Sequence, residues 1–132
     1  MTALFGRFAG RGTWHEANGE QDGYRVEQVI APTAEGWRTD FTHVFDNGDP
    51  DTVAAFAFRR VTPDLYRAFA GEAEIGQAYV FGDFAHYTLK LGEMIVEASM
   101  AADGAGLRIF GSSSTNKAGN AIAWQERLER VG

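Results

Sequence analysis

His43 is the residue whose place in the sequence offers most for chemistry. Aromatic and polar residues alternate along positions 37–45, which puts His43 on the same side of a predicted strand as Trp37, Phe41 and Phe45. A neutral imidazole inside an apolar enclosure could contact a ligand, bind a metal or haem, or transfer a proton. A buried histidine that only hydrogen-bonds a neighbour is the competing interpretation, and the sequence favours it.

Arg60 is the second residue of interest, because it shares a strand face with Phe56 and Phe58. If that face points inward, a guanidinium enters an apolar interior, where an unpaired charge is costly. Such an arginine must meet a carboxylate, a ligand anion or water, and an apolar ligand that carries a carboxylate is the sharper hypothesis. In the alternative interpretation, which the sequence favours slightly, Arg60 ends its strand and its long side chain reaches solvent.

Aromatic hydroxyls complete the predicted ligand-contacting set. Tyr66, Tyr79 and Tyr87 could line a cavity, although an aromatic core residue with a satisfied hydroxyl is the common outcome for each. The residues that we predict to contact a ligand are Phe41, His43, Phe56, Phe58, Arg60, Tyr79 and Tyr87.

The spacing of residues along the sequence indicates no metal site, no acid pair and no catalytic triad. The histidines His15 and His86 are not at any recognised metal-ligand spacing from His43, so no metal and no cofactor are predicted. Four of the glutamates do not form a recognisable acid pair, because their mutual distances depend on strand register: Glu16, Glu74, Glu97 and Glu126. No order of Ser, His and Asp indicates a catalytic triad.

Short strands with turn signals between them must position these residues. The predicted strands are 10–17, 24–30, 37–45, 53–61, 65–70, 77–81, 84–91, 94–100, 107–111 and 121–131, with Gly-rich or Asp-Gly turns at most junctions. This pattern predicts an all-β protein of one domain, residues 1–132, folded as an antiparallel up-and-down barrel of 8 to 10 strands.

Residues 4–10 are predicted as a short helical cap over one end. The polar stretch 112–120 is predicted as a hairpin loop, with an anion-binding nest that includes Lys117 as the weaker alternative.

Composition excludes several classes of partner. The formal net charge of −6 disfavours nucleic acid and anionic membranes, and no apolar run approaches the length of a membrane helix. The chain has no cysteine, so a disulfide framework and a thiolate nucleophile are excluded. Without a signal-peptide pattern at the start, a cytoplasmic location is expected. A homodimer is left open.

The triplet Gly12-Thr13-Trp14 on the first strand, with a basic Arg127 or Arg130 on the last, resembles the calycin superfamily of lipocalins and fatty-acid-binding proteins. The Asp46-Asn47-Gly48 turn, followed by Arg59-Arg60 and Asp64-Leu65-Tyr66, is similar to small bacterial lipocalin-like proteins whose role is not characterised. The resemblance implies that Trp14 stacks on Arg127 or Arg130 and closes one end of the barrel, with Gly12 allowing close approach. It also implies a small hydrophobic or amphipathic ligand in the interior.

These observations favour a noncatalytic binding barrel. An enzyme on the same kind of barrel, of the decarboxylase, cyclase or isomerase type, is the first alternative, and it requires Arg60, a tyrosine and a glutamate to converge inside. Haem binding through His43 is another alternative. A structural or dimerising module with a solid interior is the last.

Overall fold

Ten antiparallel strands, counted within the described residues, form one closed sheet. The computed structural model describes residues 1–115 and 119–132, and a short 3-10 helix, Thr2–Leu4, precedes the strands. No helix in these ranges is long and apolar enough to cross a membrane. The strands are β1 (Gly6–Glu16), β2 (Gln21–Pro32), β3 (Gly36–Phe45), β4 (Thr52–Arg60), β5 (Leu65–Ala70), β6 (Ala73–Phe81), β7 (Phe84–Leu91), β8 (Met94–Asp103), β9 (Gly106–Ser113) and β10 (Ile122–Arg130).

Each strand pairs with its neighbours in the sequence, and β1 also pairs with β10, which closes the sheet into a barrel. Tight turns explain this order. Gly82 and Gly92 have φ values of +60° and +64° and begin the two-residue connections on either side of β7. Such turns join strands that are adjacent in space. The predicted antiparallel up-and-down barrel is confirmed.

Alternation along the strands fills one half of the barrel with a solid core. On β2, Tyr24, Val26 and Ile30 are buried while Arg25 and Glu27 point outward. The largest fully buried side chains at the closed end are Leu4, Phe8, Ile30, Trp37, Phe58, Leu107 and Leu128. Side chains at the opposite end are only partly buried, among them Trp14, Phe45 and Leu91. The barrel is therefore packed at one end and open at the other.

The N-terminal segment differs from its prediction. The helix is three residues long and ends at Leu4, whereas residues 6–10 belong to β1; all five pair with β2, and residues 8–10 also pair with β10. The strand conformation is favoured because this pairing satisfies backbone groups of the segment with hydrogen bonds between strands. Leu4 is fully buried against the closed end, so a cap exists there but is shorter than predicted. Lys117, the cation of the anion-nest alternative, lies outside the described residues.

Candidate ligand-binding site

A cavity of about 360 Å³ occupies the open half of the barrel. Its polar or charged lining residues are Glu16, Gln28, His43, Asp49, Thr52 and Glu126. The other lining residues are apolar or aromatic: Trp14, Tyr24, Phe41, Phe45, Ala54, Phe56, Tyr87, Leu89, Leu91, Met94, Val96, Ile109, Ile122 and Trp124. Asp49 and Thr52 are exposed, which marks the mouth, and Tyr87 and Leu89 are buried, which marks the floor.

One wall of the cavity is a continuous aromatic surface built by β2, β3 and β4. The ring of His43 lies 4.7 Å from that of Tyr24 and 4.8 Å from that of Phe41, measured between centroids. The Phe41 ring lies 6.0 Å from the Phe56 ring on the next strand. Because these rings project from alternate positions of neighbouring strands, they form one aromatic face toward the cavity.

Glu126 is a buried acid in this otherwise apolar floor. Strand register places it beside Gly12 of β1, and places Tyr24 of β2 on the other side of the same glycine. The Tyr24 hydroxyl donates a hydrogen bond of 2.7 Å to Oε2 of Glu126. A Cβ atom at Gly12 would lie only 2.6 Å from that hydroxyl oxygen. The missing side chain of Gly12 therefore lets the tyrosine ring lie across β1 and reach the acid.

His43 is the third member of this group. Its Nε2 atom lies 3.4 Å from Oε2 of Glu126, and the two side chains are 16% and 2% exposed. Burial lowers the pKa of His43 to about 4. Burial raises the pKa of Glu126 to about 7, although the hydrogen bond from Tyr24 acts in the opposite direction. Near neutral pH the contact therefore joins a neutral imidazole to an acid that is close to half ionised.

Both floor tyrosines are held as neutral phenols. Burial, and secondly the charge of Glu126, raise the pKa of Tyr24 and Tyr87 well above the usual range. Deeper in the barrel, Nε2 of Gln28 donates a hydrogen bond of 2.9 Å to the hydroxyl of Thr39, and both residues are buried. The floor thus offers hydroxyl, carboxyl and imidazole groups that could bind or move a proton.

The seven residues predicted to contact a ligand fall in three places. Phe41, His43, Phe56 and Tyr87 line the cavity. Phe58 does not, because it lies one layer deeper and stacks on Trp37 with centroids 3.9 Å apart. The two remaining residues, Arg60 and Tyr79, lie outside the interior.

The prediction that Arg60 faces the cavity is wrong. Its strand parity is as predicted, but Arg60 is the last residue of β4, at the closed end, where its exposed guanidinium lies 5.6 Å from the centre of the Tyr66 ring. Arg60 instead matches the alternative interpretation, in which it ends its strand and its side chain reaches solvent. Tyr79 is on the outer face of β6, where its ring stacks on that of His86 at 5.2 Å. The buried Ala78 and Val80 take the inward positions beside it.

The residues that close the barrel also differ from those that the calycin resemblance implied. Trp14 lines the cavity in the open half, because β1 runs from the closed end toward the mouth. Arg130 stacks instead on Phe8, with its guanidinium carbon 4.8 Å from the ring centre. Arg127 is exposed and reaches Asp103 at 3.4 Å on the outer surface. The arginine was correctly placed on the last strand, but its aromatic partner lies six residues before Trp14.

Arg130 also fastens the N-terminal helix. Its guanidinium donates hydrogen bonds to the carbonyl oxygens of Phe5, at 2.6 Å, and Ala3, at 3.2 Å. Gly12, predicted as part of the same closure, lies instead at the cavity floor beneath Tyr24. The closed end is therefore sealed by Leu4, Phe8 and Arg130 together.

Tyr24 and Glu126 are the site residues that sequence reasoning missed. Glu126 has the same parity on its strand as Ile122, Trp124 and Leu128, and this alternation is the signal that could have placed it inside. Across residues 1–115 and 119–132, no three His, Asp or Glu side chains are placed to hold a metal ion together.

Comparison with known proteins gives information about the fold only. No protein-family model matches the sequence, and no curated protein matches it. An S-type phycobiliprotein lyase, CPES from Guillardia theta, has a similar structure with a TM-score of 0.77 at 9% identity, over 99% of this chain and 90% of that one. Rv2717c from M. tuberculosis is similar with a TM-score of 0.69 at 17% identity, over 99% and 94% of the two chains.

A protein of the DUF3598 family from Nostoc punctiforme is also similar, with a TM-score of 0.68 at 14% identity. The match covers 98% of this chain and 48% of that one. Identities this low carry no statement about ligands or activity. The three solved structures share with this chain the overall fold, which here is a closed barrel of ten antiparallel strands within the described residues.

Proposed function

We propose that this protein binds a small, largely apolar molecule in the open half of its barrel. The observation that carries the proposal is the cavity of about 360 Å³, whose lining is mostly aromatic and aliphatic. Ligand sites commonly have volumes of about 300 to 1,000 Å³, apolar walls and a few polar groups that fix orientation. Here the polar groups are Glu126, Tyr24 and His43, which converge at one point of the floor.

The distribution of core residues supports a container rather than a solid module. The closed end is filled by large side chains such as Trp37 and Phe58. In the open half, small or mobile groups such as Ala54 and Met94 line the space. Protein interiors normally pack without voids larger than a water molecule, so an unfilled apolar space of this size favours a binding role.

A matched pair of substitutions on one strand tests the proposal. Ala54 lines the cavity, whereas its neighbour Ala55 is exposed on the outside. Ala54→Phe should fill the cavity and abolish binding, while Ala55→Phe should leave binding unchanged. Native mass spectrometry of gently purified protein would detect a retained ligand. Fluorescence of Trp14 and Trp124, which both line the cavity, would report on added apolar compounds.

Two results would contradict the binding proposal. Wild-type protein would carry no retained mass, and its tryptophan emission would not change across a panel of apolar acids, alcohols and amines. Equal binding by wild type and Ala54→Phe would place the ligand elsewhere and would also contradict it. The cytoplasmic location and the bacterial origin stay predictions from the sequence.

A catalytic role is the second candidate, and Glu126 is the observation that favours it. A carboxyl group with a pKa of about 7, within reach of a neutral histidine and a tyrosine hydroxyl, suits general acid and base catalysis. The convergence of Arg60, a tyrosine and a glutamate that the sequence analysis required does not occur, because Arg60 lies outside the cavity. A tyrosine and a glutamate converge with His43 instead. If the retained ligand is chemically converted by wild type and unconverted by Glu126→Gln, the protein is an enzyme.

The position of His43 does not favour haem ligation. An axial ligand needs a ring nitrogen directed at open space, and Nε2 of His43 faces Oε2 of Glu126 at 3.4 Å. A Soret band that appears on adding haemin and disappears in His43→Ala would restore this alternative.

A further inference from the structure

The proposed binding cavity is acidic at its floor and at its mouth. Glu126 lies at the floor, and Glu16 and Asp49 are also among the lining residues. Among the described residues that line the cavity, none is Lys or Arg. The whole chain carries a formal net charge of −6. A cleft with acidic groups and low-dielectric walls concentrates cations and repels anions.

The side chains that contact Glu126 at the cavity floor are neutral. The side chain of Glu126 is 2% exposed, and the contacts at its Oε2 atom are the hydroxyl of Tyr24 at 2.7 Å and the ring of His43 at 3.4 Å. Both groups can donate a hydrogen bond, but neither carries a charge near neutral pH. A buried carboxylate is costly unless an opposite charge or hydrogen bonds compensate for lost hydration, and an opposite charge compensates most strongly. The cavity next to Glu126 leaves room for that charge.

The aromatic wall suits the same ligand chemistry. Aromatic faces attract cations through their quadrupole, most strongly when water is excluded. The rings of Tyr24, Phe41 and Phe45 surround His43 at centroid distances of 4.7 to 6.4 Å, so they border the approach to Glu126. An apolar ligand body would pack against these rings while its charged end reached the acid.

We infer that the ligand is an apolar base, a small hydrophobic molecule whose protonated nitrogen pairs with Glu126. This inference rests on the proposed binding function and names the chemical class of the ligand. It reverses the sequence prediction of a carboxylate-bearing ligand, because Arg60 lies outside the cavity and an anionic head would meet the Glu126 carboxylate.

Three probes of equal shape separate the possibilities: 4-phenylbutylamine, 4-phenylbutanol and 4-phenylbutanoate. Their phenyl group absorbs and emits outside the range of tryptophan, so the change in the emission of Trp14 and Trp124 on binding is measured by titration at pH 8. The amine should bind about 10-fold more tightly than the alcohol, a factor that corresponds to about 1.4 kcal/mol. The carboxylate should bind more weakly than either.

The pH dependence assigns the effect to Glu126. The amine stays protonated throughout, so its affinity should rise about 10-fold or more between pH 5.5 and pH 8 as Glu126 ionises. In Glu126→Gln this rise should vanish, and the amine should bind no better than the alcohol. Glu129→Gln, an exposed position on the same strand, is the matched control and should behave as wild type. Near-UV circular dichroism checks that both variants are folded.

Other results would contradict either the inference alone or both the inference and the binding proposal. Equal or tighter binding of the carboxylate, or equal binding of the amine and the alcohol, overturns the inference and leaves the binding proposal intact. A pH rise that persists in Glu126→Gln also overturns it. If none of the three probes binds, both the inference and the proposed binding of small apolar molecules fail together.

Discussion

The hydroxyl of Tyr24 reaches across β1 to Oε2 of Glu126, at 2.7 Å, over a position where the chain has glycine. Both residues are register partners of Gly12, one on each side. The sheet therefore joins strands β2 and β10 through a side-chain hydrogen bond that spans the strand between them. This bond sets the position of the acid in the cavity.

Gly12→Ala is expected to break this arrangement. The new methyl group would lie 2.6 Å from the Tyr24 hydroxyl oxygen, and the buried ring has little room to move. Forced repacking of this kind costs about 1 to 3 kcal/mol in the free energy of unfolding. Urea denaturation measures the loss. In the double variant with Tyr24→Ala the clash is absent, so Gly12→Ala should then cost much less; an unchanged cost would refute the steric explanation.

Tyr24→Phe should raise the pKa of Glu126 above 7. The hydrogen bond from Tyr24 favours the ionised carboxylate, and its removal leaves desolvation with less opposition. Carbon-13 NMR of the glutamate carboxyl groups measures this value, with Glu126→Gln to identify the resonance. Tyr79→Phe on the outer face is the control and should leave the pKa unchanged. A fall in the Glu126 pKa in Tyr24→Phe would contradict the assignment.

The pH dependence of stability should be hidden in the wild type and appear in single variants. The raised pKa of Glu126, about 7, stabilises the folded state at low pH and loses that effect as pH rises from its ordinary value to 7. The lowered pKa of His43, about 4, stabilises the folded state above pH 6.5 and loses that effect as pH falls toward 4. The two contributions oppose each other over the same range.

Glu126→Gln therefore leaves the histidine contribution alone, and its free energy of unfolding should fall as pH decreases from 6.5 to 4. His43→Gln leaves the glutamate contribution alone, so its free energy of unfolding should fall as pH increases from 4.5 to 7. Each change has a ceiling of about 3 kcal/mol, because one pKa unit corresponds to about 1.4 kcal/mol. Denaturation at a series of pH values measures both. Profiles parallel to that of the wild type would contradict the shifts.

Arg130→Ala should destabilise the barrel more than Arg127→Ala does. Arg130 loses two hydrogen bonds to the N-terminal backbone and its stacking on Phe8. Charged hydrogen bonds of this kind contribute about 1.5 to 3 kcal/mol when buried and less when exposed, so we expect a loss of about 1 to 2 kcal/mol. Arg127 makes a surface ion pair that contributes less than about 1 kcal/mol. Thermal unfolding of the two variants measures both losses, and an equal loss in the two would contradict the role of Arg130 at the closed end.

The alternation of apolar and polar residues along each strand predicted the fold and part of the site. On β3 it predicted Phe41 and His43 on one face, and both line the cavity. It failed at strand ends: Arg60 has the inward parity, but beyond the last layer of core there is solvent to reach. It also failed for Trp14, because a pattern along one strand does not tell which end of a barrel is filled.

The sequence by itself determined that short amphipathic strands with tight turns would close into an antiparallel barrel, because strand period and turn chemistry are local properties of the chain. Only the tertiary structure decided that Tyr24, His43 and Glu126 meet. These residues come from β2, β3 and β10, and their contact depends on the register between strands and on the closure of β10 against β1. Register is set by the packing of all inward side chains together, so no segment read alone contains it.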